Sequence, residues 1–360
     1  MPSTPRRPRQ FASDNHSGIC PEAWDALAAA NRDHSPAYGD DRWTRKATRL
    51  IREFFDTDCR VFFVFTGTAA NSLALAAGCR SFESILCHEL AHIERDECSA
   101  PEFFSGGAKI RFAQGPNGKL TPALVEQLAH RLTVHFPRTA MLSLTQATEA
   151  GTVYSPAELK ALTRTARRQG LHTHLDGARL ANALSFLKVP PKDITWRAGI
   201  DVLSLGGSKN GMGVGEAVVF FHRDLARDFD RRRKQAGQLA SKMRFLAAPW
   251  IGMLENNACL RHAAHANTMA RRLARRLRQL TLKPVFPVQA NAVFVELPPA
   301  AIRQMHRLGW QFHVMLGNRG CRLMCSWDTH PEDVDAFTED LRDILTGKDS
   351  QSPAVNPITF

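Results

Sequence analysis

The feature that most constrains this chain is an alternation of short apolar runs with helix-forming stretches across its first two thirds. Residues 61–65 are continuously apolar, which suits a strand buried on both faces. Thr66-Gly67-Thr68 then turns the chain into an alanine-rich stretch, 69–77, that reads as a helix. Strand-like runs recur at 139–145, 171–175, 202–205 and 217–221. Ser155-Pro156-Ala157-Glu158 forms a capping box with proline in the first turn, and Gly170 stops the helix it opens. Earlier, Ala47, Leu50, Ile51, Phe54 and Phe55 mark one face of an amphipathic helix over 43–55. Strands alternating with helices predict an α/β fold, a mostly parallel sheet covered by helices on both faces.

The pattern changes after about residue 245. A long basic helix (260–280) precedes a strand (292–297), a helix (300–308) and two further strands (311–316 and 321–327). Thr329-His330-Pro331-Glu332 caps a last helix ending near Leu345. This predicts a smaller C-terminal α+β domain. The expected organisation is an N-terminal arm (1–18), a large domain (19–245), the small domain (246–347) and a flexible tail (348–360).

Composition narrows the class. A chain of 360 residues has room for two domains. With 44% hydrophobic and 23% charged residues it is not disordered overall. No apolar run reaches the roughly 18 residues of a membrane span, and no signal-peptide core follows Arg6, Arg7 and Arg9. The eight cysteines hold no C-x-x-C and suit a reducing compartment, so a cytoplasmic protein is expected. The net charge of +12 raises the question of a polyanion partner. The arginines of 223–233 and 271–278 read instead as solvated helix faces, so neither nucleic acid nor membrane is expected.

His88-Glu89-Leu90-Ala91-His92 matches H-E-x-x-H, the zinc-hydrolase signature, in which a helix presents two imidazoles on one face. A third ligand is missing: the metzincin spacing falls on Cys98. The run 84–87 also reads as a strand entering a loop. No metal is expected, and the zinc hydrolase stays as a rival.

Three other features together fit a pyridoxal phosphate site. Ser204-Leu205-Gly206-Gly207-Ser208-Lys209-Asn210-Gly211 sets one lysine in a Gly/Ser turn directly after a strand. A Schiff-base lysine needs such close backbone approach and a pocket that depresses its pKa; an exposed loop lysine is the plain alternative. Asp176 ends the strand 171–175 and opens Asp176-Gly177-Ala178-Arg179. A carboxylate there can keep a pyridine nitrogen protonated, and can equally be a helix cap. Thr66-Gly67-Thr68-Ala69-Ala70-Asn71, between strand and helix, offers amides and hydroxyls to a phosphate.

On these stretches the chain resembles the low-specificity L-threonine aldolases, in the aromatic β-eliminating lyase/threonine aldolase group of fold-type I pyridoxal phosphate enzymes. The resemblance also takes in residues 11–18, 37–41, Ala91-His92 and 322–328, so it spans nearly the whole chain. It implies retro-aldol cleavage of L-threonine, L-allo-threonine and related β-hydroxy-α-amino acids to glycine and an aldehyde. It implies Lys209 as the cofactor lysine with Ser208 beside it, Asp176 as partner of the ring nitrogen, and His92 stacked on the ring. It further implies Gly67 and Thr68 as phosphate ligands, and Ser13, Arg179 and Arg322 as the grip on the substrate carboxylate. Tyr38 matches an active-site loop residue. Arg244, with Lys234 as the other possibility, would bring a cation to the phosphate across a subunit interface in a homo-oligomer, a dimer or tetramer with shared sites.

One departure matters. Many members of that family carry a second histidine after the strand 141–144, where this chain has Thr148. That leaves the base acting on the β-hydroxyl open: His92, or a water held by His92 and Asp96, is the expected candidate, and Asp96 can equally be a structural salt-bridge partner near Arg95. His172 and His174 read as core residues and not as a metal pair. The remaining rival chemistry is another pyridoxal phosphate reaction on the same fold, β-elimination or transamination.

Overall fold

The computed structural model describes residues 9–129 and 133–347; the tail expected at 348–360 and the first part of the arm lie outside them. Seven strands form the large sheet: β1 (Arg60–Val64), β2 (Glu83–His88), β3 (Lys109–Ala113), β4 (Arg138–Thr145), β5 (His172–Gly177), β6 (Val202–Leu205) and β7 (Glu216–Phe220). Their order is β1-β7-β6-β5-β4-β2-β3. The pairs β2–β3, β2–β4, β4–β5 and β5–β6 are parallel, whereas β7 runs antiparallel to both β1 and β6. The sheet is therefore mostly parallel, as expected. Because β7 alone runs against the rest, the carboxyl ends of six strands and the amino end of β7 share one edge. In α/β sheets that edge carries the ligand site.

The strand positions follow from burial. β2, β6 and β7 are buried at every residue, which suits the apolar runs at 202–205 and 217–221 and the strand read over 84–87. β3 escaped the sequence reading because Lys109 and Arg111 interrupt its apolar residues. Such interruption is what a sheet edge needs to resist pairing with other chains. The helix Gly67–Gly78 is buried along Ala69–Ala76, so its apolar residues show no single stripe.

The small sheet comprises β8 (Ala292–Glu296), β9 (His313–Leu316) and β10 (Gly320–Met324), all antiparallel in the order β8-β10-β9. The helices Ala258–Gln279, Pro299–Arg307 and Pro331–Leu345 share its core, with Leu273, Leu277, Val293, Val295, Phe337 and Leu341 fully buried. The last helix is capped at His330, one residue later than expected, and the His330 amide donates to Asp333 at 2.8 Å.

The N-terminal segment is docked from Arg9 onward. The Phe11 amide donates to the Gln311 carbonyl and the Met324 amide to the Phe11 carbonyl, both at 2.8 Å. The Phe11 ring stacks on Trp310 and meets Phe337 edge-on, at centroid distances of 5.8 and 5.2 Å. Burying such a ring stabilises by roughly 1.5–3 kcal/mol. Ser13 then caps a single 3-10 turn, Asp14–His16, and the Cys20 amide donates to the Gly211 carbonyl at 2.8 Å. The segment thus runs from the small-sheet core to the turn that carries Lys209.

Candidate active site

The shared edge gathers the site. After β1, Thr66 caps the helix Gly67–Gly78 by accepting the Ala69 amide on its side-chain oxygen at 3.1 Å. The amides of Gly67 and Thr68 have no intrahelical partner and face a cavity of about 390 Å³. A Cβ on Gly67 would meet nothing within 4 Å, so the helix start opens onto free space. Asp176, Ser208, Lys209, His92 and Glu216 line the same cavity.

The Lys209 turn and the Asp176 turn are locked together. Gly206 donates its amide to the Gly177 carbonyl at 3.1 Å, and a Cβ at 206 would lie 2.4 Å from the Ala178 oxygen. Glycine is required there by that close approach. The buried Glu216, at the reversed strand β7, accepts the Gly207 amide and sits beside Ser208 and Lys209; burial pushes its carboxyl up.

Asp176 is almost wholly buried. Its Oδ1 accepts the Ala178 amide at 2.9 Å and its Oδ2 accepts Asn71 Nδ2 at 3.0 Å. The same Nδ2 donates to Glu97 Oε1 at 2.8 Å, and that oxygen lies 2.8 Å from His92 Nδ1. The Glu97 hydrogen bond pushes the His92 imidazole up.

A second cavity of about 390 Å³ adjoins the first and shares Lys209, His92 and Asn15 with it. Ser13, Asp96, Glu149, Arg179 and Arg322 line it. Arg179 is held by Asp14 through two hydrogen bonds, 2.8 and 2.9 Å long. Burial opposes the Arg179 charge, and Asp14 more than offsets it, so the guanidinium is raised. Arg322 on β10 donates one Nη to the Ala12 carbonyl at 3.2 Å, while its buried Nε has no partner. Burial and the nearby Arg179 charge both lower it. Two desolvated guanidinium groups with free donors make a receptor for a carboxylate.

These placements bring together Lys209, Ser208, Asp176, His92, Gly67, Thr68, Ser13, Asp96, Arg179 and Arg322. Tyr38 and Arg244 line neither cavity of their own chain. Tyr38 is half exposed under Lys234, whose Nζ lies 5.0 Å from the ring centroid. Arg244 lies against Phe245 with its buried Nε unpartnered. Thr148 is also outside the cavities, buried in a turn with its hydroxyl 2.7 Å from that of Thr152.

The H-E-x-x-H stretch does not form one helix. His88 ends β2 and His92 starts the short helix His92–Arg95. His88 Nδ1 accepts the Leu90 amide at 3.0 Å and its Nε2 lies 3.0 Å from the Gly115 carbonyl, so backbone occupies both nitrogens. His174 is buried between the hydroxyls of Ser143 and Ser204, at 2.9 and 3.0 Å, and His172 lies 3.5 Å from Asp201. Neither lines the two cavities: His174 is a core residue, as expected, whereas His172 is partly exposed at the start of β5.

Sequence reasoning missed Asp14, Asn71, Glu97, Glu149 and Glu216. Asn71 and Asp14 stood inside the stretches that carried the resemblance, but nothing in their spacing assigns them partners far along the chain.

A lysine turn, an aspartate and a helix start gathered at one edge of such a sheet define a class, and residues 10–299 match the family described as beta-eliminating lyase, to which the chain belongs. Within it, the chain is 56% identical over 339 residues to the low specificity L-threonine aldolase of Pseudomonas aeruginosa, covering 94% of this chain and 98% of that protein. It is 30% identical to the Escherichia coli protein of the same name, over 72% of this chain and 76% of that one. The solved structure of the Leishmania major threonine aldolase superposes with a TM-score of 0.89 at 29% identity, over 94% of this chain and 100% of that one.

Proposed function

We propose that this lyase cleaves L-threonine, L-allo-threonine and related β-hydroxy-α-amino acids to glycine and an aldehyde, using pyridoxal 5'-phosphate. The observation that carries the reading is the meeting of Lys209, Asp176 and the open helix start at Gly67 around one cavity, beside a second cavity lined by Arg179 and Arg322. Bound in the first cavity, pyridoxal phosphate supplies an electron sink conjugated to the substrate's α-carbon.

The chain's own groups fit both tasks. The amides of Gly67 and Thr68, aided by the helix dipole and Ser208, suit a phosphate. Asp176 is fixed by Ala178 and Asn71 with its carboxylate at the cavity wall, where it can hold a proton on a ring nitrogen. Lys209 lines both cavities, as a lysine that exchanges places with an incoming amine must. His92, braced by Glu97 at the cavity wall, would offer its imidazole to the cofactor ring. Arg179, Arg322 and Ser13 hold the substrate's carboxylate and so fix which α-carbon bond stands ready to break. We also read the protein as a cytoplasmic homo-oligomer in which Tyr38 and Arg244 serve a neighbouring copy's site.

The test is to supply the purified, cofactor-loaded protein with L-threonine and quantify glycine and acetaldehyde. Equimolar glycine and acetaldehyde are expected. Formation of 2-oxobutyrate and ammonia instead would assign β-elimination, and a pyridoxamine product would assign transamination.

A further inference from the structure

Glu149 lines the substrate cavity, yet the assignments above leave it without a task. Its position is set by a tightly bolted turn that follows β4. The Thr148 amide donates to the Thr152 carbonyl at 2.9 Å and the Gly151 amide to the Thr148 carbonyl at 2.8 Å. The two threonine hydroxyls lie 2.7 Å apart, and the Thr152 hydroxyl donates to the Asn117 carbonyl at 2.7 Å. These bonds brace the turn, and its first tip residue, Glu149, lines the cavity with Lys209, His92, Arg179 and Arg322.

The carboxylate is held there without a fixed partner. Among the described residues its neighbours act on it through charge alone: the cations of Arg179, Lys209 and His92, and the anion of Asp176. Arg322 feels the same carboxylate. Burial outweighs the cations and raises the Glu149 carboxyl above its ordinary value, the direction that makes a carboxylate a better proton acceptor.

We propose that Glu149 is the base that takes the proton of the substrate's β-hydroxyl. The inference rests on the aldol-cleavage reading above. A Glu149 oxygen accepts the proton, the O–H electron pair becomes the second bond of the aldehyde carbonyl, and the Cα–Cβ bond breaks with its pair remaining on the glycine fragment. Glu149 passes the proton to water before the next turnover, and the glycine α-carbon receives one in its place, so the proton count closes. The other candidates are less suited. Glu97 occupies Nδ1 of His92 and favours its protonated form, which donates. Asp96 is exposed at the rim, where water solvates its charge.

The test compares wild type with Glu149→Gln and Glu149→Asp in three measurements. These are L-threonine cleavage, deuterium exchange of glycine's α-proton, and glycine affinity by calorimetry. Glycine has no β-hydroxyl, so its binding and exchange need every site group except this base. Glu149→Gln is expected to lose 100-fold or more in kcat for L-threonine, the scale of one general base, with glycine affinity and exchange within about threefold. Glu149→Asp, one methylene shorter, is expected to regain part of the loss. Cleavage within threefold of wild type in Glu149→Gln overturns the proposal. Parallel loss of cleavage and glycine exchange does so too, and makes Glu149 a builder of the site. A wild type that exchanges glycine's proton but leaves every β-hydroxy amino acid intact overturns the underlying reading instead.

Discussion

Asp14 and Arg179, 165 positions apart in the chain, are joined by two parallel hydrogen bonds of 2.8 and 2.9 Å in the interior. Asn291, from the strand entry of the small sheet, donates to the same carboxylate at 3.1 Å. Burial alone would raise the Asp14 carboxyl, but the Arg179 guanidinium overrides it and holds it below the usual carboxylate range. One side chain thus ties the N-terminal segment, the end of β5 and the small sheet to the group expected to meet the substrate carboxylate.

Replacing that carboxylate should therefore disturb stability and substrate binding together. Asp14→Asn leaves Arg179 buried without its counter-charge, and we expect a stability loss of about 3 kcal/mol, seen in urea denaturation, with KM for threonine raised more than kcat is lowered. Wild-type stability with an unchanged KM would show that Arg179 is held by other contacts.

Arg322 reaches the cavity from β10 with its buried Nε unpartnered. Arg322→Leu should weaken threonine and glycine binding by about 2–3 kcal/mol, the scale of a lost charged hydrogen bond. Because it lines the second cavity and not the first, the absorbance of bound cofactor should stay as in wild type. Arg322→Lys should rescue only partly, lacking the two-pronged geometry. Equal affinity in all three proteins would make Arg322 structural.

Glu97 holds His92 at 2.8 Å and raises its pKa. Glu97→Gln removes the charge and keeps the shape, so the His92 titration followed by NMR should move downward. A titration that does not move would mean that the Glu97 charge does little for the imidazole.

His174 gives the fold an acid limit. Burial lowers its pKa to about 4, while an unfolded histidine takes up its proton near 6.5. Between those values the unfolded state binds more protons, so stability falls as pH drops from about 6.5 to about 4, by about 3 kcal/mol at most. Denaturation midpoints at pH 7 and 4.5 should differ less in His174→Gln than in wild type. Equal differences would place the acid sensitivity elsewhere.

Backbone occupies both His88 nitrogens, so chelators should leave activity unchanged. Loss of activity in chelator that zinc alone restores would revive the H-E-x-x-H reading.

The sequence by itself determined what depends on local pattern. The sheet class followed from buried strands reading as continuous apolar runs, and the Ser155–Glu158 capping box forms as its spacing requires. Lys209 was legible because it sits in a turn directly after an apolar strand, and Asp176 because it stands at the end of one. Tertiary structure decided what depends on which strand lies beside which. The order β1-β7-β6-β5-β4-β2 brings the turns after β1, β6, β5, β4 and β2 to one edge, and no local signal encodes that order. The reversal of β7 delivers Glu216 to the same edge, and docking of Phe11 on the small sheet delivers Asp14 to Arg179. Asp14, Glu97 and Glu149 were invisible as site residues for one physical reason. A carboxylate's role is set by burial and by the charges around it, and both are fixed only when distant segments pack.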